Sequence, residues 1–157
     1  MNISDIKHII RENNLAPNKK LGQNFLISNN IINKIVESLR IVSNDHILEI
    51  GPGLGALSNE LLKKCQLTVV EIDSGFVNFL TNQHGEDIKI IHGNFLKQAE
   101  VSGITKIVSN LPYYCASEIL FKISKEYMFQ SVFVMLQKEM ATRIISKPGS
   151  KQYGSIS

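Results

Sequence analysis

The chain has 157 residues, of which 43% are hydrophobic and 20% are charged, and this composition fits one globular domain with its own core. It contains no apolar run of membrane-spanning length and no apolar N-terminal stretch of the secretory kind, which argues against membrane and secreted proteins. The net charge of +3 permits a nucleic-acid partner without requiring one.

The hydrophobic pattern predicts strands and helices that alternate along most of the chain. A first helix is expected at 3–13, and a second begins after Ser28, a suitable N-cap. Further helices are expected around 57–62, 74–82, 116–125 and 137–146, and strands at 46–50, 67–71, 88–91, 104–109 and 131–136. This alternation predicts an α/β fold with a three-layer parallel sheet. The fifth strand is almost wholly apolar, as expected for a buried parallel strand.

The two cysteines, Cys65 and Cys115, lack Cys-x-x-Cys spacing. We interpret them as reduced, buried thiols of a cytosolic protein. The four histidines show neither metal-binding nor catalytic spacing, so we expect no metal.

A glycine-rich segment, Glu49-Ile50-Gly51-Pro52-Gly53-Leu54-Gly55, follows the first predicted strand. Gly51, Gly53 and Gly55 carry no side chains, which would let the backbone approach a ligand. An ordinary strand-to-helix turn has the same composition, so the loop alone is weak support for a nucleotide-like ligand. Ligands of such sheets bind beyond the carboxyl ends of the strands, where this loop lies.

Polar residues also end the next two predicted strands. Glu71 ends the second strand, where its carboxylate could accept hydrogen bonds from both hydroxyls of a ribose; the alternative is a solvated acid. Asn94 follows the third strand and could reach an adenine edge, although a turn asparagine is equally natural there. Lys19 and Lys20 fit a phosphate contact and a solvated charge pair equally well.

The segment Asn110-Leu111-Pro112-Tyr113 follows the fourth predicted strand. Pro112 fixes its own φ and favours an extended Leu111, which would hold the Asn110 side chain and the Leu111 carbonyl in a rigid corner. Tyr113 adds a flat, exposed ring. An amide, a carbonyl and an aromatic ring form a receptor for a planar base with an exocyclic amine.

Two classes of enzyme are compatible with these features. A dinucleotide-dependent oxidoreductase would need Gly-x-Gly-x-x-Gly, whereas the chain has Gly-Pro-Gly-Leu-Gly at 51–55. That spacing, together with Asn110–Tyr113, favours S-adenosylmethionine and an amino-group acceptor.

Five segments in this order resemble the ribosomal RNA adenine dimethyltransferases of the KsgA type. They are Leu21-Gly-Gln-Asn-Phe-Leu26, Glu49–Gly55, Val70-Glu-Ile-Asp73, Asn110–Tyr113 and Gln137-Lys-Glu-Met-Ala-Thr-Arg143. The resemblance covers nearly the whole chain and implies a Rossmann-like S-adenosylmethionine-dependent methyltransferase fold. The erythromycin-resistance methyltransferases are similar too, but they usually carry Ile in place of Leu111.

The resemblance also implies roles for particular residues in holding the cofactor. Asn24 and Leu26 would hold its methionine part, with Gly51 and Gly53 packed against it. Glu71 would bind the ribose hydroxyls, and Asn94 stands where the family usually has an aspartate on the adenine amine.

For the acceptor, the resemblance implies a pair of adjacent adenosines in small-subunit rRNA, each dimethylated on its exocyclic amine. Asn110 would contact both cofactor and target, and Tyr113 would stack on the target adenine. Hydrogen bonds from the amine to the Asn110 side chain and the Leu111 carbonyl, beside Pro112, would favour a pyramidal nitrogen whose lone pair points at the methyl group. This is catalysis by positioning and electrostatics.

Family members continue well past Ser157, so we expect residues 1–157 to form an incomplete methyltransferase domain. Two further strands, a second stacking aromatic residue and a helical C-terminal RNA-binding domain would lie outside it. The fifth strand would then be a bare edge, through which we expect self-association. We also expect weak cofactor binding with little or no methylation of rRNA, so a cofactor-binding fragment without turnover is an alternative.

Overall fold

The computed structural model of this protein describes residues 3–13, 15 and 25–157. Its centre is a parallel five-stranded sheet with the strand order β3-β2-β1-β4-β5. The strands are His46–Ile50 (β1), Gln66–Glu71 (β2), Lys89–His92 (β3), Lys106–Asn110 (β4) and Ser131–Met135 (β5). The predicted Rossmann-like α/β class is therefore confirmed, and each predicted strand lies within two residues of its observed bounds.

Six α-helices surround or flank this sheet within the described residues. They are Ile3–Glu12 (α1), Asn29–Ser38 (α2), Ser58–Leu61 (α3), Ser74–His84 (α4), Ala116–Glu126 (α5) and Lys138–Ile144 (α6). Ser28 is the N-cap residue of α2 as predicted, although its side chain makes no capping hydrogen bond. None of the helices in this part of the chain is long and apolar enough to cross a membrane.

The helix predicted around 57–62 is shorter than expected, since α3 has only four residues. The glycine-rich segment before it has positive φ at Gly51, Gly53 and Gly55. A right-handed helix requires negative φ, so these glycines exclude an earlier start, and α3 differs from the predicted 57–62 by one residue at each end.

Both faces of the sheet are covered by apolar side chains, which explains the long hydrophobic runs in its strands. Alternate residues of β1 point to opposite faces. Leu48 and Ile50 pack in a cluster with residues of α5, including Ile119 and Ile123. Ile47 packs on the other face with residues of α2 and α3.

The strand β5 is an edge strand among the described strands, because it pairs only with β4. The edge position agrees with the bare edge expected from the sequence, and all five residues of β5 are half-buried rather than buried. Its side chains still pack against both core clusters, with Val132 and Val134 on one face and Phe133 and Met135 on the other. The self-association expected at this edge stays a prediction.

Both cysteines are free thiols. Cys115 is buried as predicted, whereas Cys65 is half-buried, because it follows α3 at the margin of the core. Burial raises the pKa of Cys65 to about 11, so its thiol stays protonated at neutral pH. Within the described residues, no three His, Cys, Asp or Glu side chains are placed to hold a metal ion.

The packing of the neighbouring core requires a glycine at position 55. A Cβ at Gly55 would lie 2.9 Å from Cδ2 of Leu80, which is a buried residue of α4. Gly85 also has positive φ, but a Cβ there would meet nothing within 4 Å. Packing thus accounts for the glycine at position 55, and the expectation that it opens the backbone to a ligand stays a prediction.

We predict that Gly55→Ala lowers the free energy of unfolding by about 1–3 kcal/mol more than Gly85→Ala does. Both substitutions introduce strain at positive φ, but only the first forces a methyl group into a filled core. Urea denaturation of the two variants and the wild type measures this difference. Equal losses in both variants would contradict the packing role of Gly55.

Candidate active site

The predicted site residues lie along the carboxyl edge of the sheet. In the order of the strands, Asn94 follows β3, Glu71 ends β2, the glycine loop (residues 51–55) follows β1, and Asn110 ends β4. The strand order reverses between β1 and β4, since β2 and β3 lie on one side of β1 and β4 and β5 on the other. Ligands of open α/β sheets bind at such a switch point, which here lies between the glycine loop and Asn110.

Glu71 is buried, with 4% of its surface exposed, so the alternative of a solvated acid is excluded. Its Oε1 accepts hydrogen bonds from the backbone N–H groups of Ile72 (2.8 Å) and Asp73 (2.9 Å). Its Oε2 accepts one from the backbone N–H of Gly53 (3.1 Å). Burial raises the pKa of Glu71 above its usual value, while these backbone donors oppose that shift. The carboxylate therefore joins the glycine loop to the end of β2.

The first two glycines of the loop differ from Gly55. A Cβ at Gly51 would have nothing within 4 Å, so open space lies beside this exposed residue. A Cβ at Gly53 would lie 3.6 Å from the ring of Phe25. Phe25 in turn packs edge-on against Phe76, with 5.8 Å between ring centroids. The loop thus has one open side and one side covered by an aromatic ring.

Leu26 follows Phe25 and is half-buried. It lines an open, mainly apolar cavity of about 740 Å³, together with Phe25, Ile27 and residues of α1 and α2. This position beside the glycine loop is compatible with a contact to a bound molecule. Asn24, Lys19 and Lys20 lie outside the described residues.

Glu49, to which the sequence analysis gave no role, is a second buried acid at this edge. It is 3% exposed, and its Oε2 accepts a hydrogen bond of 2.6 Å from the hydroxyl of Ser58. Burial raises the pKa of Glu49 to about 7; the Ser58 bond lowers it, and the nearby charge of Glu71 raises it. An acid inside the apolar strand 46–50 was the signal in the sequence, because a charged residue is rarely buried without a function or a partner.

Asn94 and Asp73 both serve local turns. The Oδ1 of Asn94 accepts a hydrogen bond from the backbone N–H of Leu96 (2.9 Å) at the start of a 3-10 turn. An amide oxygen has two lone pairs, so this bond leaves room for a second donor. Asp73 caps α4 by accepting from the backbone N–H groups of Gly75 and Phe76. That capping role explains an acid to which no ligand role was given.

The acceptor corner (residues 110–113) is anchored to β5. The backbone N–H of Leu111 donates to the carbonyl of Met135 (3.2 Å), and the Leu111 side chain is buried. Asn110 is half-buried at the end of β4, and Ser109 ties that strand to the carbonyl of Ile50 in β1 (2.6 Å). Tyr113 is 53% exposed, as the sequence predicted. The corner therefore has a fixed backbone and an accessible aromatic ring.

A cavity of about 280 Å³ adjoins this corner and was not foreseen from the sequence. Its walls come from Leu111 and Tyr113, the start of α5, the end of β5 and residues of α6 that include Arg143. No local motif signals it, because its residues come from four separate segments.

The parallel sheet, the glycine loop at its switch point and the acid that ends β2 define the S-adenosylmethionine-dependent methyltransferase fold. The profile of one family within that class, described as ribosomal RNA adenine dimethylase, matches residues 14–157. The chain therefore belongs to the ribosomal RNA adenine dimethylase family, enzymes that use S-adenosylmethionine as methyl donor.

Individual relatives agree with this assignment. The chain is 45% identical to the ribosomal RNA small subunit methyltransferase A of Borrelia garinii subsp. bavariensis, over 98% of this chain and 57% of that protein. The identity to the protein of the same name from Malacoplasma penetrans is also 45%, over 94% of this chain and 56% of that protein. The chain thus spans a little over half the length of these relatives.

Solved structures show the same similarity. A dimethyladenosine transferase from Plasmodium falciparum superposes with a TM-score of 0.76 at 28% identity, covering 85% of this chain and 50% of the other. A 23S rRNA methyltransferase, ErmE, superposes with a TM-score of 0.71 at 26% identity, covering 76% of this chain and 50% of the other.

We predict that Glu49 makes the stability of the protein fall as the pH rises from about 4.5 to 7. Its pKa is 4.5 in the reference state and about 7 in the fold, so the folded protein binds more protons in this window. Deprotonation of the buried acid lowers the free energy of unfolding by at most about 3 kcal/mol, and this loss is complete above pH 7. Glu49→Gln removes this cost.

Chemical denaturation of the wild type and Glu49→Gln between pH 4.5 and 8 measures this effect, with Glu37→Gln on the exposed face of α2 as the control. The stability of Glu49→Gln relative to the wild type should grow with pH and level off above pH 7. A difference that is constant over the whole range would show that Glu49 does not titrate there.

Proposed function

We propose that this chain binds S-adenosylmethionine at the carboxyl edge of its sheet and contributes the catalytic domain of an rRNA adenine N6-dimethyltransferase. One observation carries the proposal. The glycine loop and Glu71 lie on one side of the switch point, and the acceptor corner lies on the other side. The first group suits a nucleoside cofactor, and the second suits an adenine amine.

The described residues fit such a cofactor. The open space beside Gly51 gives a bound molecule access to the loop backbone. Glu49 and Glu71 are buried acids whose pKa values are raised by burial, and a cation beside them would favour their charged forms. Glu71 would bind the ribose hydroxyls, Asn94 the adenine amine, and Leu26 with Gly51 and Gly53 the methionine part. We give Asn24 the role that the family resemblance implies.

When bound, the cofactor supplies an electrophilic methyl group on a positively charged sulfur. The protein's contribution is to orient the acceptor. The backbone N–H of Leu111 is held by the carbonyl of Met135, and Pro112 restricts the backbone on the other side of Leu111. The Leu111 carbonyl would therefore present a fixed acceptor for one proton of the target amine. The Asn110 side chain would accept the other proton, and the exposed ring of Tyr113 would replace the stacking that the base loses on leaving the RNA.

For the substrate, we propose small-subunit rRNA, with dimethylation of two adjacent adenosines. Relatives at 45% identity carry the small-subunit name, whereas the similarity to ErmE, a 23S rRNA methyltransferase, is 26%. Leu111 also favours the small-subunit enzymes, because the erythromycin-resistance methyltransferases usually carry Ile at this position. A cytoplasmic location and a role in ribosome biogenesis follow from this substrate and belong to the same proposal.

We predict that Glu71→Ala weakens S-adenosylmethionine binding at least about tenfold. The variant loses charge-assisted hydrogen bonds to the ribose, each contributing roughly 1.5–3 kcal/mol, and it also releases the backbone N–H of Gly53. Isothermal calorimetry on the wild type, Glu71→Ala and the exposed control Glu86→Ala measures the affinities. If Glu71→Ala binds as tightly as the control, Glu71 does not hold the cofactor.

We predict that Asn110→Ala lowers methylation of small-subunit particles at least about 100-fold, because it removes one of the two groups that orient the amine. Tyr113→Ala should weaken RNA binding by about 1–3 kcal/mol, the usual range for stacking of a base on an aromatic ring. Asn82→Ala, on the exposed face of α4, is the control.

The assay follows labelled methyl groups into small-subunit and large-subunit particles, and it is run with the 157-residue chain and with the product of its whole reading frame. Full activity of Asn110→Ala would remove the chain from the amino-methyltransferases. Incorporation into large-subunit particles alone would favour the erythromycin-resistance type. Cofactor binding without any incorporation by either protein would favour a binding domain without turnover.

A further inference from the structure

The positive charge of this protein is concentrated in one short segment beside the acceptor corner. Residues 138–151 contain four of the 17 Lys and Arg residues of the chain and only one of its 14 acids, and the chain as a whole has a net charge of +3. The rest of the molecule is therefore neutral overall. This segment comprises α6 and the turns that follow it, and we call it the basic segment.

The cations of the basic segment are available to a ligand. Lys138, Arg143, Lys147 and Lys151 are all exposed. The ion pairs found among the described residues are Lys63–Glu60, Lys106–Asp45 and Lys122–Glu126, so none of these four cations is neutralised by a neighbour. A cluster of unpaired cations on one surface is the electrostatic footprint of a polyanion.

Arg143 stands where the basic segment meets the cavity of about 280 Å³. Its side chain lines that cavity together with Leu111 and Tyr113 of the acceptor corner. The hydroxyl of Ser157 donates to the carbonyl of Arg143 (2.6 Å) and accepts from the backbone N–H of Gly154 (3.1 Å), which fixes the chain around Arg143. A guanidinium group in this place suits a phosphate, because its donors form a planar fork.

The cavity itself suits a single base. Its volume of about 280 Å³ lies just below the range of roughly 300–1,000 Å³ that is usual for ligand pockets. Apolar side chains of Leu111, Leu136 and Met140 line it beside the polar groups of Ser117, Gln137 and Glu139. Such a mixture offers a flat base both apolar contact and hydrogen-bond partners at its edge.

We propose that this cavity receives the base next to the target adenine in the RNA, and that Arg143 binds the phosphate between the two nucleotides. The inference rests on the proposed function, because Tyr113 belongs both to the acceptor corner and to the wall of the cavity. Lys138, Lys147 and Lys151 extend the contact along the RNA backbone without reading its sequence.

The test is binding of a fluorescent single-stranded oligoadenosine RNA to the 157-residue protein, measured over a range of salt concentrations. Arg143→Gln should lower the affinity about threefold to tenfold and reduce the slope of log K against log salt by about 0.7 to 1, the loss of one phosphate contact. Arg143→Lys keeps the charge and should retain the slope. Lys64→Gln removes the same charge from the exposed turn that follows α3, far along the chain from the residues of the cavity, and should leave both quantities unchanged.

A second variant tests the cavity separately. Ser117→Leu adds volume at its wall without changing the charge, so it should lower the affinity for oligoadenosine while the salt slope stays at the wild-type value. An abasic oligonucleotide of equal length should bind the wild type more weakly than oligoadenosine does, and Ser117→Leu should reduce that preference.

The inference is overturned if Arg143→Gln has the affinity and salt slope of Lys64→Gln, or if Ser117→Leu keeps the full preference for oligoadenosine. A wild-type protein that binds no RNA overturns it as well. The proposed function can survive these outcomes, because cofactor affinity and methylation are measured in separate assays.

Discussion

The hydrogen bonds of the Glu71 carboxylate are the interaction on which the candidate site depends. One oxygen accepts from the backbone of the glycine loop, and the other accepts from the two residues that follow β2. The carbonyl of Glu71 accepts from Gly93 after β3 (2.8 Å), so one residue connects the ends of three neighbouring strands. Because this carboxylate is buried, these bonds are little weakened by competition with water, and the loop is held before any ligand arrives.

The same burial has a cost that a cationic ligand offsets. Glu49 and Glu71 lie on neighbouring strands. Burial raises the pKa of both acids, and the charge of Glu71 raises the pKa of Glu49 further. Two buried carboxylates so placed destabilise the protein when both are ionised, and a cationic ligand beside them would offset that cost.

The sequence predicted the sheet, the strand bounds and the carboxyl-edge position of Glu71, Asn94 and Asn110, because strand periodicity and parallel topology determine them. It predicted α3 one residue too long at each end, because the ends of a helix depend on the structure around it. It did not predict the packing role of Gly55, because contact with Leu80 is a tertiary property. The cavity at Arg143 was equally inaccessible, since its residues meet only in the folded chain.

The strand order also separates two opposite charge patterns. The buried acids Glu49 and Glu71 lie within β1 and at the end of β2, where a cationic cofactor would lie, whereas the cations of the basic segment follow β5 at the other side of the acceptor corner. A polyanion placed near Glu49 and Glu71 would be repelled, and a cationic cofactor placed near Arg143 and Lys147 would be repelled too. The acceptor corner at the end of β4 lies between these regions. Under the proposed function, a base bound there would meet the cofactor while its phosphates lie on the basic side, so the arrangement of the strands would separate the two binding regions.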